Sequence, residues 1–235
     1  MYRSILATAA AIGLTNSAII PRASIDHDAV VGFDQSVPSG TTGDVYLAYQ
    51  PYLKVVNGCV PFPAVDAEGN TNAGLAPSGD SNGNCSSSTG QIYVRGGASG
   101  DYYALMYAWY FPKDSPSSGL GHRHDWEGVI VWISDSTATT AENIVAVCPS
   151  GHGGWDCSTD GFTLSETKPL IRYYSDWPVN HQCGLTDTVG GTQPLVAWES
   201  LPSAASTALE NTDFGDANVP FKDANWDANL GKATF

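Results

Sequence analysis

The sequence predicts a mainly β domain with helices on its flank. Most apolar runs are short, are rich in Val, Ile, Tyr and Trp, and are bounded by Gly, Pro, Asn or Ser, which favours strands over helices. Helical spacing of apolar residues is clearest towards the C-terminus, after Pro202. Many strands followed by helices are typical of an α+β domain, or of a β-sandwich with helices packed against it.

The chain begins with the parts of a secretory signal. Residues 1–18 combine Arg3, a run of Ala, Ile and Leu, and small residues that allow cleavage after Ser17 or Ala18. The apolar run is too short to span a bilayer. We therefore expect a secreted, extracellular protein in which residues 19–235 form a single domain with one sizeable core.

The elements expected along the chain begin with an N-terminal extension at 19–28 and a short helix or strand at 44–52. The predicted strands are 54–56, 60–65, 92–94, 101–111, 128–133, 143–147, 163–174 and 194–198. Residues 66–90 are dense in Gly, Asn and Ser and are predicted to be a long surface loop. Pro169 should lie at a sheet edge, because proline cannot donate a ladder hydrogen bond.

Two helices are predicted near the C-terminus, at 202–211 and 222–232. The first begins with Pro202, which is favourable in the first turn of a helix, and both place apolar residues at helical spacing. We expect these helices to pack on the sheet. The chain contains no internal repeat and no stretch typical of a domain linker.

The acidic composition limits the partners that this protein can have. Its formal net charge is −14 and its pI is near 4.4. Nucleic acid and anionic lipid surfaces both attract basic proteins, so neither is an expected non-specific partner. Contact with a membrane would therefore need recognition of a specific head group, and a cation between the acidic protein and an anionic lipid would make that contact possible.

Ionisable residues are concentrated at the junction of two predicted strands. Five lie between Gly121 and Gly128, namely His122, Arg123, His124, Asp125 and Glu127. Alternate side chains of a strand share a face, so the two carboxylates should lie about 7 Å apart on one side. They repel each other unless a positive charge lies between them.

The source of that positive charge is left open by the spacing alone. The loop at 115–121 can bring Asp114 to His122, and carboxylates with one or two imidazoles suit a hard cation, magnesium, calcium or manganese, better than zinc. The alternative is a salt-bridged hairpin end, in which Arg123 and the histidines neutralise the carboxylates.

The heptapeptide GHRHDWE at 121–127, with the flanking residues 104–120, resembles the signature of the necrosis- and ethylene-inducing-like proteins. These are cytotoxins of plant-associated microbes. Shorter matches are NGCVP at 57–61, PAVD at 63–66, DFG at 213–215 and VPF at 219–221. The resemblance extends over the chain from about residue 25 to the C-terminus.

The resemblance implies a fold, an activity and a metal. The fold is an actinoporin-like β-sandwich flanked by helices. The activity is cytolysis of plant plasma membranes through a sphingolipid, an inositol phosphoceramide that carries a sugar head group. The head-group site holds a divalent cation, magnesium, with calcium or manganese as alternatives.

The resemblance also implies roles for individual residues. Asp114 and His122 are similar to direct metal ligands, whereas Asp125 and Glu127 are similar to residues that hold metal-bound waters. Farther along the chain, Trp177 and His181 resemble the loop that meets the sugar and closes the site.

The five cysteines of a secreted chain predict disulfide bonds. The resemblance pairs Cys59 with Cys85. Cys148 and Cys157 flank a Gly-rich turn and are expected to form a second bridge, which leaves Cys183 free.

The resemblance therefore identifies a non-enzymatic cytolysin. Expected partners are the sphingolipid head group and plant immune receptors that detect peptides from residues 104–127, and the protein is expected to be monomeric in solution. One alternative is a metal-dependent glycoside hydrolase, or another secreted hydrolase of plant surface glycans, that uses Asp125 and Glu127 as its carboxylate pair. A sugar-binding module without toxicity is the third hypothesis. The sequence has no lipase-type serine elbow, zinc-protease motif or Gly-rich phosphate loop.

Overall fold

Two long antiparallel strands form the centre of the structure, a computed structural model that describes residues 23–175 and 180–235. They are β5 (Tyr102–Asp114) and β6 (His122–Ile133). Both have neighbouring strands on each side, which is why their Val, Ile, Tyr and Trp side chains are buried over most of their length. The predicted signal segment lies outside the described residues.

Three sheets are present in the described residues. Four further strands complete the six-stranded sheet: β4 (Ile92–Ser99), β7 (Ile144–Gly151), β8 (Gly154–Trp155) and β12 (Leu195–Ala197). Its order is β12-β4-β5-β6-β7-β8, with β12 parallel to β4 and the other pairs antiparallel. The second sheet contains β2 (Tyr52–Val55), β9 (Leu164–Ser165), β10 (Lys168–Ser175) and β11 (His181–Leu185). A short parallel pair joins β1 (Ser24–Ile25) to β3 (Thr71–Asn72).

The helices are α1 (Thr41–Ala48), α2 (Ser203–Asn211) and α3 (Asp223–Lys232), with 3-10 turns at Ala141–Asn143 and Trp198–Ser200. The two C-terminal helices agree with the predicted ranges to within one residue. In the residues that the structure describes, no helix has both the length and the apolar character needed to cross a bilayer.

The central sheet is covered on both faces. On one face, Phe111 stacks on Tyr173 of the second sheet, with ring centroids 3.8 Å apart. On the other face, Trp126 packs edge-on against Phe221 just before α3, at 5.6 Å. The result is a β-sandwich with the C-terminal helices outside it, which is the predicted architecture.

Proline explains where a predicted strand is missing. Residues 60–65 were expected to form a strand, but Phe62 makes only an isolated pairing with Tyr110 of β5. Pro61 and Pro63 lie on either side of Phe62 and have no N–H group, so a continuous ladder cannot form.

The two predicted disulfide bonds are present. Cys59 is bonded to Cys85 and Cys148 to Cys157, while Cys183 is a free, buried thiol. The first bond closes the segment 59–85, which includes most of the predicted surface loop 66–90. That loop is less superficial than predicted, because it contains β3, whose two residues are buried.

Candidate functional site

A β-bulge shapes the loop end of the β5–β6 hairpin, where residues 115–121 join the two strands. Lys113 of β5 lies opposite both Arg123 and His124 of β6, whereas Pro112 has no partner on β6, so the register is the same on both sides of the bulge. His124 accommodates it with a φ of 62°. Beyond the bulge, Asp114 lies opposite His122.

His124 lies on the face of β6 that carries Trp126 and meets Tyr110, as the period of a strand predicts. Its Nδ1 is 2.6 Å from the Tyr110 hydroxyl, and its ring packs edge-on against Phe214 at 5.2 Å. Burial, together with the charges of Arg123 and His122, lowers the pKa of His124 to about 4. Its imidazole is therefore neutral at pH 7 and contributes no positive charge to the carboxylates.

The two cationic side chains near the bulge bond to a neighbouring loop. The Arg123 guanidinium donates to the carbonyl oxygens of Ala73 and Gly74, at 2.8 and 2.9 Å. The buried Lys113 ammonium donates to the carbonyl oxygens of Ser78 and Asp80, at 3.1 and 2.9 Å. Both cationic groups therefore bind the segment 73–80 to the hairpin.

Asp125 and Glu127 share the face of β6 that meets the second sheet, as the period of a strand predicts. The Tyr173 hydroxyl donates to Asp125 Oδ2 at 2.7 Å. The Ser150 hydroxyl donates to Glu127 Oε2 and accepts the Gly128 N–H at 2.7 Å. Each carboxylate is therefore held in place by a neutral donor from another strand.

The environment of both carboxylates disfavours their charge. Burial, followed by repulsion from Glu127 and Asp114, raises the pKa of Asp125 well above its usual range. Burial raises the pKa of Glu127 to about 8, with a further contribution from Asp114. Neutral hydrogen-bond donors offset only part of this cost, so the site is one that a cation would stabilise.

Asp114 is joined to two histidines from different parts of the chain. Its carboxylate accepts the His181 Nδ1–H at 2.7 Å and the His181 backbone N–H at 3.1 Å. His122 Nε2 lies 3.7 Å from Asp114 Oδ2. His122 Nδ1 is 2.8 Å from the carbonyl oxygen of His124, which can only accept, so Nδ1 carries the proton. In the neutral ring, a lone pair on Nε2 then faces the carboxylate.

The salt-bridged alternative fails for most of the site. Within residues 23–175 and 180–235, the charged contacts of these three acidic groups are limited to His122 and His181 at Asp114. No Lys or Arg of the described chain pairs with Asp125 or Glu127, and Arg123 points elsewhere.

A cavity of about 490 Å³ joins these groups. It lies beside residues 122–128 of β6, which pair with β5 but not with β7, between the turn that joins β7 to β8 and the C-terminal helix α3. Its lining residues are Asp114, His122, 125–128, 150–155, 180, 181, 216–218, 220, 225, 228, 229 and 232. Asp114, His122, Asp125 and Glu127 form its acidic end, which is the name used below.

The acidic end has the chemistry of a hard-cation site without a complete protein cage. No three His, Cys, Asp or Glu side chains of the described residues converge closely enough to hold a metal by themselves. Magnesium commonly binds through one or two carboxylates and retains several waters. The opposed acceptors of Asp114 and His122, with Asp125 and Glu127 nearby, fit a cation bound partly through water.

Sequence reasoning located this site but missed its supporting partners. Tyr173 and Ser150 lie 48 and 23 residues from the carboxylates that they hold. His181 was predicted to meet a sugar, and the structure places it in the cavity wall, 3% exposed, against Asp114. Trp177 lies outside the described residues.

Comparison with known proteins gives consistent matches. Residues 43–233 match the family described as Necrosis inducing protein (NPP1). Necrosis-inducing protein NPP1 of Phytophthora nicotianae is 45% identical over 232 residues, which cover 97% of this chain and 96% of that protein.

Solved structures agree with the predicted fold class. A structure described as NLPPya in complex with mannosamine has a TM-score of 0.86 and 47% identity, covering 91% of this chain and all of the other. A structure of the non-toxic HaNLP3 protein has a TM-score of 0.84 and 38% identity, covering 88% and 98%. The mainly β, actinoporin-like fold is confirmed, and it occurs in both toxic and non-toxic proteins.

Proposed function

Since the chain belongs to the necrosis-inducing protein family, we propose that it is a secreted cytolysin that captures a sugar head group on plant plasma membranes. The head group belongs to a glycosylated inositol phosphoceramide, and a divalent cation at the acidic end assists its capture. The cation is magnesium, with calcium or manganese as alternatives. Membrane permeabilisation follows capture and involves no covalent chemistry.

One observation carries this proposal: Asp125 and Glu127 face the cavity without a cationic partner from the described residues. Leaving two acidic groups uncompensated costs stability, and a protein that needed only a stable hairpin end would gain by replacing them. Their presence is explained if an external cation and a polar ligand complete the site.

The chain's own residues have distinct tasks in this proposal. Asp114 and His122 would hold the cation directly, and Asp125 and Glu127 would hold its waters. His181 fixes the position of the Asp114 carboxylate by two hydrogen bonds. The cation, when bound, offers positive charge to the hydroxyl oxygens of a sugar.

A saccharide fits the chemistry of the cavity. Carboxylates, amide side chains and an indole ring line it, and such groups provide both hydrogen bonds and an apolar contact surface. A protein 47% identical to this one has been solved in complex with mannosamine, an amino sugar. His181 and, on the family resemblance, Trp177 are proposed to contact the sugar.

Vesicle leakage tests this function. Liposomes with and without the glycosylated inositol phosphoceramide are loaded with a fluorescent dye, and the protein is added with magnesium. Leakage should require the lipid and should disappear for Glu127→Ala, while Glu142→Ala, an exposed glutamate in a 3-10 turn, should behave as the wild type. Equal leakage from both vesicle types would overturn the proposal.

Two further assays separate the rival functions. Chromatography of the lipid and of plant-wall polysaccharides after incubation should show no cleaved bond, whereas released sugar would favour the hydrolase. Leaf infiltration should cause necrosis that Glu127→Ala abolishes. Lipid binding without leakage or necrosis would indicate a sugar-binding module. The structure of the non-toxic HaNLP3 protein shows that this fold also occurs without toxicity.

Detection by a plant immune receptor needs a different form of the protein. The segment 104–127 contains most of β5 and half of β6, and residues 104–114 are buried. We propose that a receptor recognises this segment only after proteolysis or unfolding exposes it. A synthetic 104–127 peptide should therefore elicit an immune response in leaves, and folded Glu127→Ala protein, stabilised against proteolysis, should elicit less.

A further inference from the structure

The second sheet has an outer face, which points away from β5 and β6 and takes no part in the cavity. Tyr173 of β10 packs inward against Phe111, so the residues on either side of it point outward. The strand register adds their neighbours on β2 and β11. None of these outward residues lines the cavity. The set, called the outer patch below, consists of Lys54, Arg172, Tyr174, Gln182 and Gly184.

The guanidinium group of Arg172 is held in place by the rest of the outer patch. Its central carbon lies 4.0 Å from the centre of the Tyr174 ring, and the Tyr174 hydroxyl accepts a hydrogen bond from Gln182 Nε2 at 2.8 Å. Gly184 leaves room for both groups, because a Cβ there would lie 2.9 Å from Tyr174 Cε1 and 3.4 Å from Arg172 Nε. The guanidinium is therefore positioned in advance, and binding a ligand costs it little side-chain entropy.

The positive charge of the outer patch has no protein partner. Arg172 and Lys54 are in register on neighbouring parallel strands, which lie about 5 Å apart. Within residues 23–175 and 180–235, neither side chain forms a salt bridge. Like charges that face each other across two strands are destabilising. An anion bound between them would remove this cost.

Most other basic side chains of the described chain are used by the protein itself. Arg95 pairs with Asp223. Backbone carbonyl oxygens accept hydrogen bonds from Lys113, Arg123, Lys168 and Lys232. Lys222 forms no salt bridge, but it lines a separate cavity that contains Asp213 and no second basic side chain. Among the described residues, the outer patch is therefore the place where two free cations adjoin.

We propose that the outer patch binds the carboxylates of an acidic polysaccharide, a polyuronate, and so attaches the protein to an extracellular matrix. Arg172 Nε is buried, so the two terminal nitrogens are the donors that a ligand reaches. Their fixed fork matches the two oxygens of a carboxylate, and Lys54 adds a second positive charge. This attachment goes beyond the proposed function, since it needs neither the cavity nor the cation.

A linear polysaccharide suits this face better than a bilayer does. An anionic bilayer faces a whole side of the molecule and repels a protein of net charge −14. A single glycan chain contacts only a strip, and most acidic groups then lie beyond the screening length of about 8 Å at physiological salt. The three neighbouring strands β2, β10 and β11 provide an extended surface for such a chain.

Biolayer interferometry on immobilised polygalacturonate tests the proposal, with the fully methyl-esterified polymer as the neutral control. All buffers contain a chelator, so that no divalent cation links the glycan to the acidic end. The variants Arg172→Gln, Arg172→Lys and Lys54→Gln change the cations of the patch. Gly184→Ala displaces Arg172 without changing the charge, and Lys222→Gln makes the same charge change outside the patch.

The wild type should bind polygalacturonate and leave the methyl ester unbound. Arg172→Gln should weaken binding about tenfold, as expected for the loss of a charge-assisted bidentate contact. Lys54→Gln, Gly184→Ala and Arg172→Lys should weaken it by a smaller factor, because each retains part of the site. Lys222→Gln should bind as the wild type does.

Three results would overturn the proposal. The first is equal binding of the wild type to the acidic and esterified polymers, or to neither. The second is wild-type affinity in both Arg172→Gln and Lys54→Gln. The third is tighter binding, dependent on Arg172, to phosphatidylserine vesicles in the same buffer, which would make a membrane the partner.

Vesicle leakage separates this proposal from the proposed function. Without any polyuronate, Arg172→Gln and Lys54→Gln should permeabilise vesicles that carry the glycosylated lipid as the wild type does. Loss of leakage in these variants would assign the outer patch to lysis and contradict a separate attachment site. Failure of the wild type to cause leakage would contradict the proposed function and leave polygalacturonate binding as it was measured.

Discussion

The two ends of the β5–β6 hairpin differ in what they contribute to the protein. At the far end, away from the loop, Leu105 pairs with Val131 and Tyr103 with Ile133, and the aliphatic side chains there are fully buried. At the loop end, the same two strands carry acidic groups and imidazoles around a cavity. One end therefore stabilises the fold by apolar burial, whereas the other carries buried carboxylates whose charge is only partly offset by neutral hydrogen-bond donors.

The largest effect on stability is expected from a cavity at the far end of the hairpin. Leu105→Ala should lower the free energy of unfolding by about 3 kcal/mol, since it removes buried methyl groups from a close-packed position. Urea denaturation measures this change. Leu120→Ala is the matched control, because Leu120 is 44% exposed on the loop between the strands, and it should cost less than about 0.5 kcal/mol. Equal losses in the two variants would contradict the comparison.

A substitution at the loop end should have the opposite effect, a loss of activity with little change in stability. Glu127→Gln keeps an acceptor for the Ser150 hydroxyl but removes the charge, so vesicle leakage should fall about tenfold or more. The free energy of unfolding in the absence of divalent cations should change by less than about 1 kcal/mol, because burial already disfavours the charged form.

Glu142→Gln is the control for Glu127→Gln, as it makes the same substitution at an exposed site. It should leave both leakage and stability unchanged. If Glu127→Gln instead lowered the free energy of unfolding as much as Leu105→Ala, the loop end would stabilise the fold as the far end does. The difference between the two ends would then disappear.

These two ends also differ in how well sequence predicts them. The strand period placed Asp125 and Glu127 on one face, and the loop length brought Asp114 to His122, because both are local properties of the chain. The bulge at His124 was not predicted, since a positive φ is uncommon for any residue other than glycine. Beside it, the Arg123 side chain turns to the carbonyl oxygens of Ala73 and Gly74 and leaves the carboxylates.

Contacts between distant segments were beyond sequence reasoning. Tyr173 and Ser150 bind the carboxylates only because the second sheet and β7 pack beside β6. The positions of those sheets depend on the whole core. The resemblance supplied His181 as a site residue, but its hydrogen bonds to Asp114 became visible only in the structure.

A divalent cation should stabilise the protein through binding at the loop end only. With magnesium at about one hundred times its dissociation constant, linkage adds about 2.7 kcal/mol and should raise the melting temperature by roughly 5 to 10 °C. Differential scanning calorimetry of the wild type and Asp114→Asn, with magnesium and with a chelator, measures this effect. The variant should show no shift, and a shift of equal size in both proteins would place the cation elsewhere.

Two glycines of the loop between the strands provide the smallest and most local test. Both have a positive φ, 92° at Gly121 and 82° at Gly119, so alanine at either position costs about 1 kcal/mol in the left-handed region. Only at Gly121 would the new Cβ overlap the carbonyl oxygen of Asp114, while Gly119 has open space around it.

Gly121→Ala should therefore displace Asp114 and reduce vesicle leakage several-fold, whereas Gly119→Ala should leave leakage near the wild-type value. Similar leakage from both variants, with similar stability by urea denaturation, would show that the position of Asp114 does not limit activity.

Anomalous scattering from crystals soaked in manganese tests the central claim most directly, since manganese substitutes for magnesium at oxygen-rich sites. The account predicts one strong peak in the cavity within coordination distance of Asp114 or His122, and its loss in Asp114→Asn crystals. A cavity without a peak, in which Arg123 has left the carbonyl oxygens of Ala73 and Gly74 to bind Asp125 or Glu127, would contradict it.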